Sequence, residues 1–221
     1  MYISRLILNP RSRQVRSELA DVYEMHRTVM KAFAGHVTND ERVLFRVDIH
    51  PRSEIPTLLV QSRLEPDWGF LLDAGKNYLL TGDNLPLDVD NPAIKPFDLV
   101  LQPGQVLSFR LRANPTVKKD REGQKQGRRV GLVREEDQLA WLQRKIESAG
   151  AALLSANILN DGKAGGKLFR EQEKHKLSFI SVQFDGVLQV KDPDLLVKSI
   201  GTGLGSGKGL GFGLLSLAKS R

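Results

Sequence analysis

The sequence predicts an α+β protein built from two tandem units that share one element order, β-α-β-β-α-β. Three observations carry this expectation. Residues 1–85 pass through strand-like and helix-like periodicities in that order, residues 104–221 pass through them again, and a proline-bearing stretch at 86–103 separates the two. A chain of 221 residues has room for two units of about 100 residues each.

In the first unit, residues 2–8 (YISRLIL) alternate as a strand and stop at Asn9-Pro10. Ser12 can cap a helix by accepting a bond from a free first-turn amide. Val15, Leu19, Val22, Val29, Met30 and Phe33 then recur at helical spacing, which predicts one helix of about 20 residues. Residues 43–49 and 57–63 read as strands, Trp68 to Leu72 as a weak helical segment, and 77–82 as a fourth strand. Pro86, Pro92, Pro96 and Pro103 mark 86–103 as a linker.

In the second unit, 104–113 reads as a strand and the basic segment 114–131 as a long loop or hairpin. Residues 135–149 form an amphipathic helix that stops at Gly150. Residues 151–159 and 176–190 are strand-like, Asp192-Pro193 starts a short helix over 192–200, and Phe212 to Leu217 is the last strand. Taken together the order is the split ferredoxin-like (RRM-like) arrangement, βαββαβ, twice over. The expected domains are therefore 1–85 and 104–221, and they share no repeat at the level of residue identity.

Composition narrows the chemistry. There is no cysteine, which removes disulfides, zinc thiolate sites and cysteine nucleophiles. No apolar run approaches the roughly 18 residues of a membrane span, and Met1 to Arg5 lacks a signal-peptide pattern. A cytoplasmic location without membrane partners is expected. The net charge of +7 is one-sided: residues 1–95 hold 12 Lys/Arg against 13 Asp/Glu, so residues 96–221 hold 21 against 13. From Arg110 to Arg134 nine basic residues face two acidic ones. Such a patch is the footprint of a polyanion, nucleic acid above all, although a solvated lysine-rich loop has the same composition.

The four histidines are His26, His36, His50 and His175, and no pair has metal-ligand spacing. His26 lies on the first helix, three positions after Tyr23 and five before Lys31. RNA carries its own nucleophile, the 2′-hydroxyl. Its cleavage needs a base, an acid and charge near the phosphate, which histidine and lysine supply near neutral pH. Tyr23 can orient the phosphate or supply a proton. Each of these side chains also fits a plain packing or solvated role. The carboxylate clusters Asp88/Asp90 and Glu135-Glu136-Asp137 lie in the linker and in a helix first turn, where acids favour the dipole. No metal and no cofactor are expected. The run Gly201 to Gly213 fails the phosphate-loop pattern at Thr202 and Gly209, so no nucleotide cofactor is expected either. Gly203, Gly205 and Lys208 within it are candidates for close approach to phosphates.

Several segments together resemble one family. Met1-Tyr-Ile-Ser-Arg-Leu, Asn9-Pro-Arg-Ser-Arg13 and Tyr23-Glu-Met-His26-Arg27 resemble the N-terminus of the CasE (Cse3-like) type of CRISPR-associated endoribonuclease, a subunit of the type I-E Cascade complex. Phe109-Arg-Leu-Arg-Ala-Asn-Pro-Thr116 resembles that family's central signature, and Gly211-Phe-Gly-Leu-Leu-Ser-Leu217 its C-terminal one. Gly207, Gly209 and Leu210 depart from the pattern. The resemblance implies metal-independent cleavage of CRISPR precursor RNA on the 3′ side of a repeat hairpin, leaving a 5′-hydroxyl and a 2′,3′-cyclic phosphate. It implies that the protein stays on the mature crRNA with other Cascade subunits. Tyr23 and His26 fall on the family's catalytic positions, with Lys31 a further carry-over. Arg27, Arg110, Arg112, Lys118, Lys119, Arg121, Lys125, Arg128 and Arg129 are expected to bind the RNA. A non-catalytic scaffold that only holds an RNA hairpin, or a protein–protein module with a basic surface, remains open on sequence alone.

Overall fold

The computed structural model describes residues 1–33, 42–73, 75, 77–82, 85, 89–119, 128–170 and 173–220. The chain divides into two compact units. The first comprises Met1–Asp98 with Gly165–Leu177 and Gly209–Gly211, and the second Leu99–Ala164, Ser178–Lys208 and Phe212–Arg221.

The first unit runs β1 (Tyr2–Ile7), α1 (Arg13–Ala20), α2 (Val22–Lys31), β2 (Leu44–Ile49), β3 (Pro56–Ser62), a 3-10 turn (Gly69–Leu71) and β4 (Ala93–Pro96). The sheet order is β2-β3-β1-β4, antiparallel throughout. Ser4, Leu6 and Leu8 alternate inward, and the register sets Leu6 against Leu58 and Phe45 against Val60. These residues close one core with Val15, Met25, Val29, Phe33 and Trp68. The expected single helix is two. Asp21 takes an extended conformation (φ −133°, ψ 102°) and its carboxylate accepts from the Tyr23 amide at 3.0 Å, starting α2 afresh. A side chain that competes for backbone amides interrupts a helix even where the apolar stripe continues.

The fourth strand is also displaced. Within 77–82 only Leu79 bridges to Leu8, while Ala93–Pro96, inside the stretch read as a linker, pairs with the open edge of β1. Proline is tolerated there because an edge strand has one unpaired side. The Asn91 side chain helps fix this path: it donates to the Ile7 and Leu80 carbonyls and accepts from the Ile7 amide, at 2.8–2.9 Å.

The second unit runs β5 (Val106–Ala113), β6 (Thr116–Lys119), β7 (Arg128–Gly131), α3 (Glu135–Ser148), β8 (Ala151–Arg170), β9 (Glu173–Val190), α4 (Pro193–Thr202) and β10 (Leu215–Lys219). Its main sheet is ordered β10-β5-β9-β8, and β6 and β7 form a separate hairpin. Leu107, Phe109, Leu111 and Ala113 point into a core with Trp141, Leu142, Phe184 and Leu196, and Trp141 stacks on Phe184 at 6.1 Å. Strands β8 and β9 are longer than expected because their polar, glycine-bearing ends carry no strand-like alternation. Strand β10 starts later than Phe212, since Gly213 (φ 88°) first turns to donate its amide to the Arg112 carbonyl.

Each sheet thus has the 4-1-3-2 strand order of a ferredoxin-like unit, and the fold is two such units in tandem. In the first, the second helix is reduced to the 3-10 turn. No helix among the described residues is long and apolar enough to cross a membrane.

Candidate functional site

Helix α2 is fixed at its start by Asp21 and along its buried side. Met25, Thr28 and Val29 are buried, while Tyr23 and His26 are half-buried on the flank. Beneath the helix lies Glu18, a carboxylate only 5% exposed. It accepts from Thr28 Oγ1 at 2.7 Å, Gln14 Nε2 at 2.8 Å and Tyr78 Oη at 2.5 Å. Burial, and then the charge of Glu18 and the bond to it, push the Tyr78 phenol far above its ordinary pKa. This network ties α1, α2 and residue 78 together with no cation among the described residues, and nothing in the sequence pattern pointed to it. Replacing Tyr78 by phenylalanine leaves a buried carboxylate oxygen short of a donor. Urea denaturation is expected to show a loss of roughly 1.5–3 kcal/mol.

The Tyr23 and His26 rings lie 6.1 Å apart and are tilted by 33°. The third participant is Gly209, which belongs to the same unit. A Cβ at Gly209 would lie 3.6 Å from Cε1 and 3.7 Å from Nδ1 of His26, so the glycine backbone runs directly against the imidazole. Burial lowers the His26 pKa from its ordinary 6.5, and a hydrogen bond with the Gly209 backbone opposes this with a smaller effect. A bond that favours the protonated ring has the ring as donor and the Gly209 carbonyl as acceptor. One ring nitrogen is thereby occupied, and the other is left with its lone pair. The result is an imidazole that is neutral near pH 7, oriented, and half open to solvent. Gly209 could not be found by sequence reasoning, since 183 residues separate it from His26 and its contact is made by backbone.

Lys31 is not brought to His26. Five residues along a helix amount to a rotation of about 140°, and Lys31 lines a pocket on another side of α2 with Arg27, Arg11 and Arg13. Arg27 is exposed and paired with Glu24 at 3.2 Å. His50 caps a turn, its Nδ1 accepting from the Ser53 amide at 3.2 Å. His36 lies outside the described residues.

The candidate RNA-binding residues divide into three sets. Arg110 is held by Asp185 through two bonds of 2.7 and 2.9 Å, and Arg112 donates to Ser181 at 2.9 Å and lies 5.7 Å over the Phe212 ring. Both are engaged within the sheet. In the β6–β7 hairpin, Lys118 is opposite Arg129 and Lys119 opposite Arg128. A rung of like charge such as Lys118–Arg129 destabilises a hairpin on its own and suits one that meets an anion. Arg121 and Lys125 lie outside the described residues. In the glycine run, Gly203 caps α4, Lys208 Nζ donates to the Thr202 carbonyl at 2.9 Å, and Gly205 (φ 85°) gives way to Trp141, whose Cζ2 would be 2.9 Å from a Cβ. These three serve the packing of the loop.

Comparison with known proteins agrees with this architecture. The family model described as CRISPR associated protein matches residues 1–219. The CRISPR-associated endoribonuclease Cse3 of Thermus thermophilus is 37% identical, with 99% of this chain and 100% of that protein covered. The CRISPR system Cascade subunit CasE of Escherichia coli is 29% identical, with 99% of each covered. Among solved structures, Thermus thermophilus Cse3 bound to an RNA representing a pre-cleavage complex superposes with a TM-score of 0.76 at 37% identity, over 98% of both chains. A match along nearly the whole length, in sequence and in fold, makes this chain a member of the CRISPR-associated protein family that contains Cse3 and CasE.

Proposed function

We propose that this chain is an endoribonuclease that binds the hairpin repeats of CRISPR precursor RNA. It cuts on the 3′ side of the stem and remains on the mature crRNA as a Cascade subunit. The observation that carries this reading is the His26 imidazole, kept neutral by burial and oriented by Gly209, beside Tyr23 on a capped helix of a Cse3-like chain.

The chemistry follows from the substrate. The 2′-oxygen attacks the adjacent phosphorus, the 2′-O–P bond forms and the P–O5′ bond breaks. The proton leaves the 2′-hydroxyl and another is delivered to the departing 5′-oxygen. Products are a 2′,3′-cyclic phosphate and a 5′-hydroxyl. Free His26 has a lone pair for the first transfer and, once protonated, an acid for the second. Tyr23, whose ring lies 6.1 Å from that of His26, would donate a hydrogen bond to the same phosphate. The reaction written this way uses no metal. Lys31 and Arg27 contribute positive charge on the RNA strand from their own side of α2, and the β6–β7 hairpin holds the stem by its phosphates.

A hairpin repeat RNA incubated with the protein in EDTA is expected to be cut once, with a cyclic phosphate at the new 3′ end. Cutting is expected to stop when the scissile nucleotide is 2′-deoxy. Loss of cleavage in EDTA, or cleavage of the deoxy substrate, contradicts the mechanism. Tight binding without cutting by the wild type makes the protein a scaffold instead.

A further inference from the structure

We propose that the pocket beside α2 holds the single-stranded RNA that continues past the scissile bond, by its phosphates; this rests on the cleavage reading above. The pocket has a volume of about 610 Å³ and is lined by Arg11, Arg13, Arg27 and Lys31 together with Glu18 and Glu24. Its carboxylates are already used. Glu18 accepts from Thr28, Gln14 and Tyr78, and Glu24 is paired with Arg27. Among the described residues no carboxylate pairs with Arg11, Arg13 or Lys31. The lining holds four cations (Arg11, Arg13, Arg27, Lys31) against two carboxylates (Glu18, Glu24), and this excess of positive charge around one cavity attracts an anion.

Size and position choose the anion. The volume lies within the roughly 300–1,000 Å³ of small-ligand sites, enough for a nucleotide or two and too small for a duplex. Arg27 follows His26 directly, and Lys31 is about 7.5 Å further along the helix axis. Arg27, which lines the pocket and adjoins His26 in the helix, gives a strand whose scissile phosphate meets His26 a short path round α2 into the pocket. Upstream of the cut the RNA is in the stem. Downstream it is single-stranded, so the downstream segment, which leaves with the 5′-hydroxyl, is the part that fits.

The test uses the full protein and two hairpin RNAs with a 2′-deoxy scissile nucleotide, one ending at the cut and one extended by several nucleotides. Arg11 and Arg13 are exposed, and among the described residues Arg11 is tied to its neighbours by its backbone amide on Asn9 and not by its guanidinium, so Arg11→Gln/Arg13→Gln keeps the fold. Wild type is expected to bind the extended RNA about tenfold more tightly at low salt. The double variant is expected to lose that advantage while binding the shorter RNA within about twofold of wild type. Equal affinity of wild type for both RNAs, or equal weakening of both by the variant, overturns the proposal. If wild type binds neither RNA, the cleavage reading itself has failed.

Discussion

Replacing His26 by alanine is expected to slow single-turnover cleavage of a repeat hairpin by roughly 10²–10⁴-fold while leaving RNA affinity within a few-fold. The size follows from what the ring does. If the same imidazole takes the 2′ proton and returns one to the 5′-oxygen, its loss removes both transfers and places the effect near the top of that range. Affinity is spared because the ring is neutral and half-buried, and so contributes little charge to phosphate binding. Tyr23→Phe removes a hydrogen bond and not a proton carrier, and is expected to cost less. The pH profile provides an independent check. Burial lowers the His26 pKa, so the neutral base is available at lower pH than for a free histidine. The kcat/KM limb that reports the free enzyme should therefore rise and level off below 6.5. The same sign applies to stability. A histidine whose folded pKa is depressed resists protonation, so its contribution is present above 6.5 and declines as the pH falls below it. A rate limb centred well above 6.5, or cleavage unaffected in His26→Ala, assigns proton transfer to another group.

Much of this was legible in the sequence, and the exceptions share a cause. Periodicity located α3 and the first three strands of the N-terminal unit to within a residue or two, because their inward faces are aliphatic. It missed the break at Asp21, where one carboxylate overrides a continuous apolar stripe. It missed β4, whose residues Ala93, Ile94, Lys95 and Pro96 carry no alternation and are recruited by the open edge of β1. The site shows the same division. Tyr23 and His26 are three apart on one helix, so spacing alone placed them together. Lys31, five positions on, lines a pocket with Arg11, Arg13 and Arg27, a grouping that spacing along the helix does not give. Gly209 and Glu18 act through long-range contacts, one by backbone and one by a buried carboxylate, and neither has a local signature. Arg110 and Arg112 are candidate RNA ligands by composition, and composition says nothing of their contacts within the sheet. Strand register puts Asp185 opposite Arg110, a pairing that only the sheet reveals.

The hairpin carries the second large effect, and its sign on stability is opposite to its sign on binding. Lys118 lies opposite Arg129 and Lys119 opposite Arg128, with Val117 and Val130 in the rung between Thr116–Gly131 and the charges. Changing all four basic residues to glutamine removes up to four phosphate contacts. Affinity for a repeat hairpin is expected to fall about 10²–10³-fold near 0.1 M salt, and the slope of log K against log salt to flatten by roughly 2 to 4. The free protein is expected to gain stability, because the like-charged Lys118–Arg129 rung costs the hairpin on the order of 0.2–1 kcal/mol until an anion neutralises it. Titrations at two salt concentrations, paired with denaturation of the free protein, read both effects. A fold-supporting role for these side chains predicts lower stability with an unchanged salt slope. An RNA-binding role predicts weaker, flatter binding by a protein that is at least as stable. If both outcomes are found together, the composition of the hairpin is explained by an anionic partner and not by the fold that presents it.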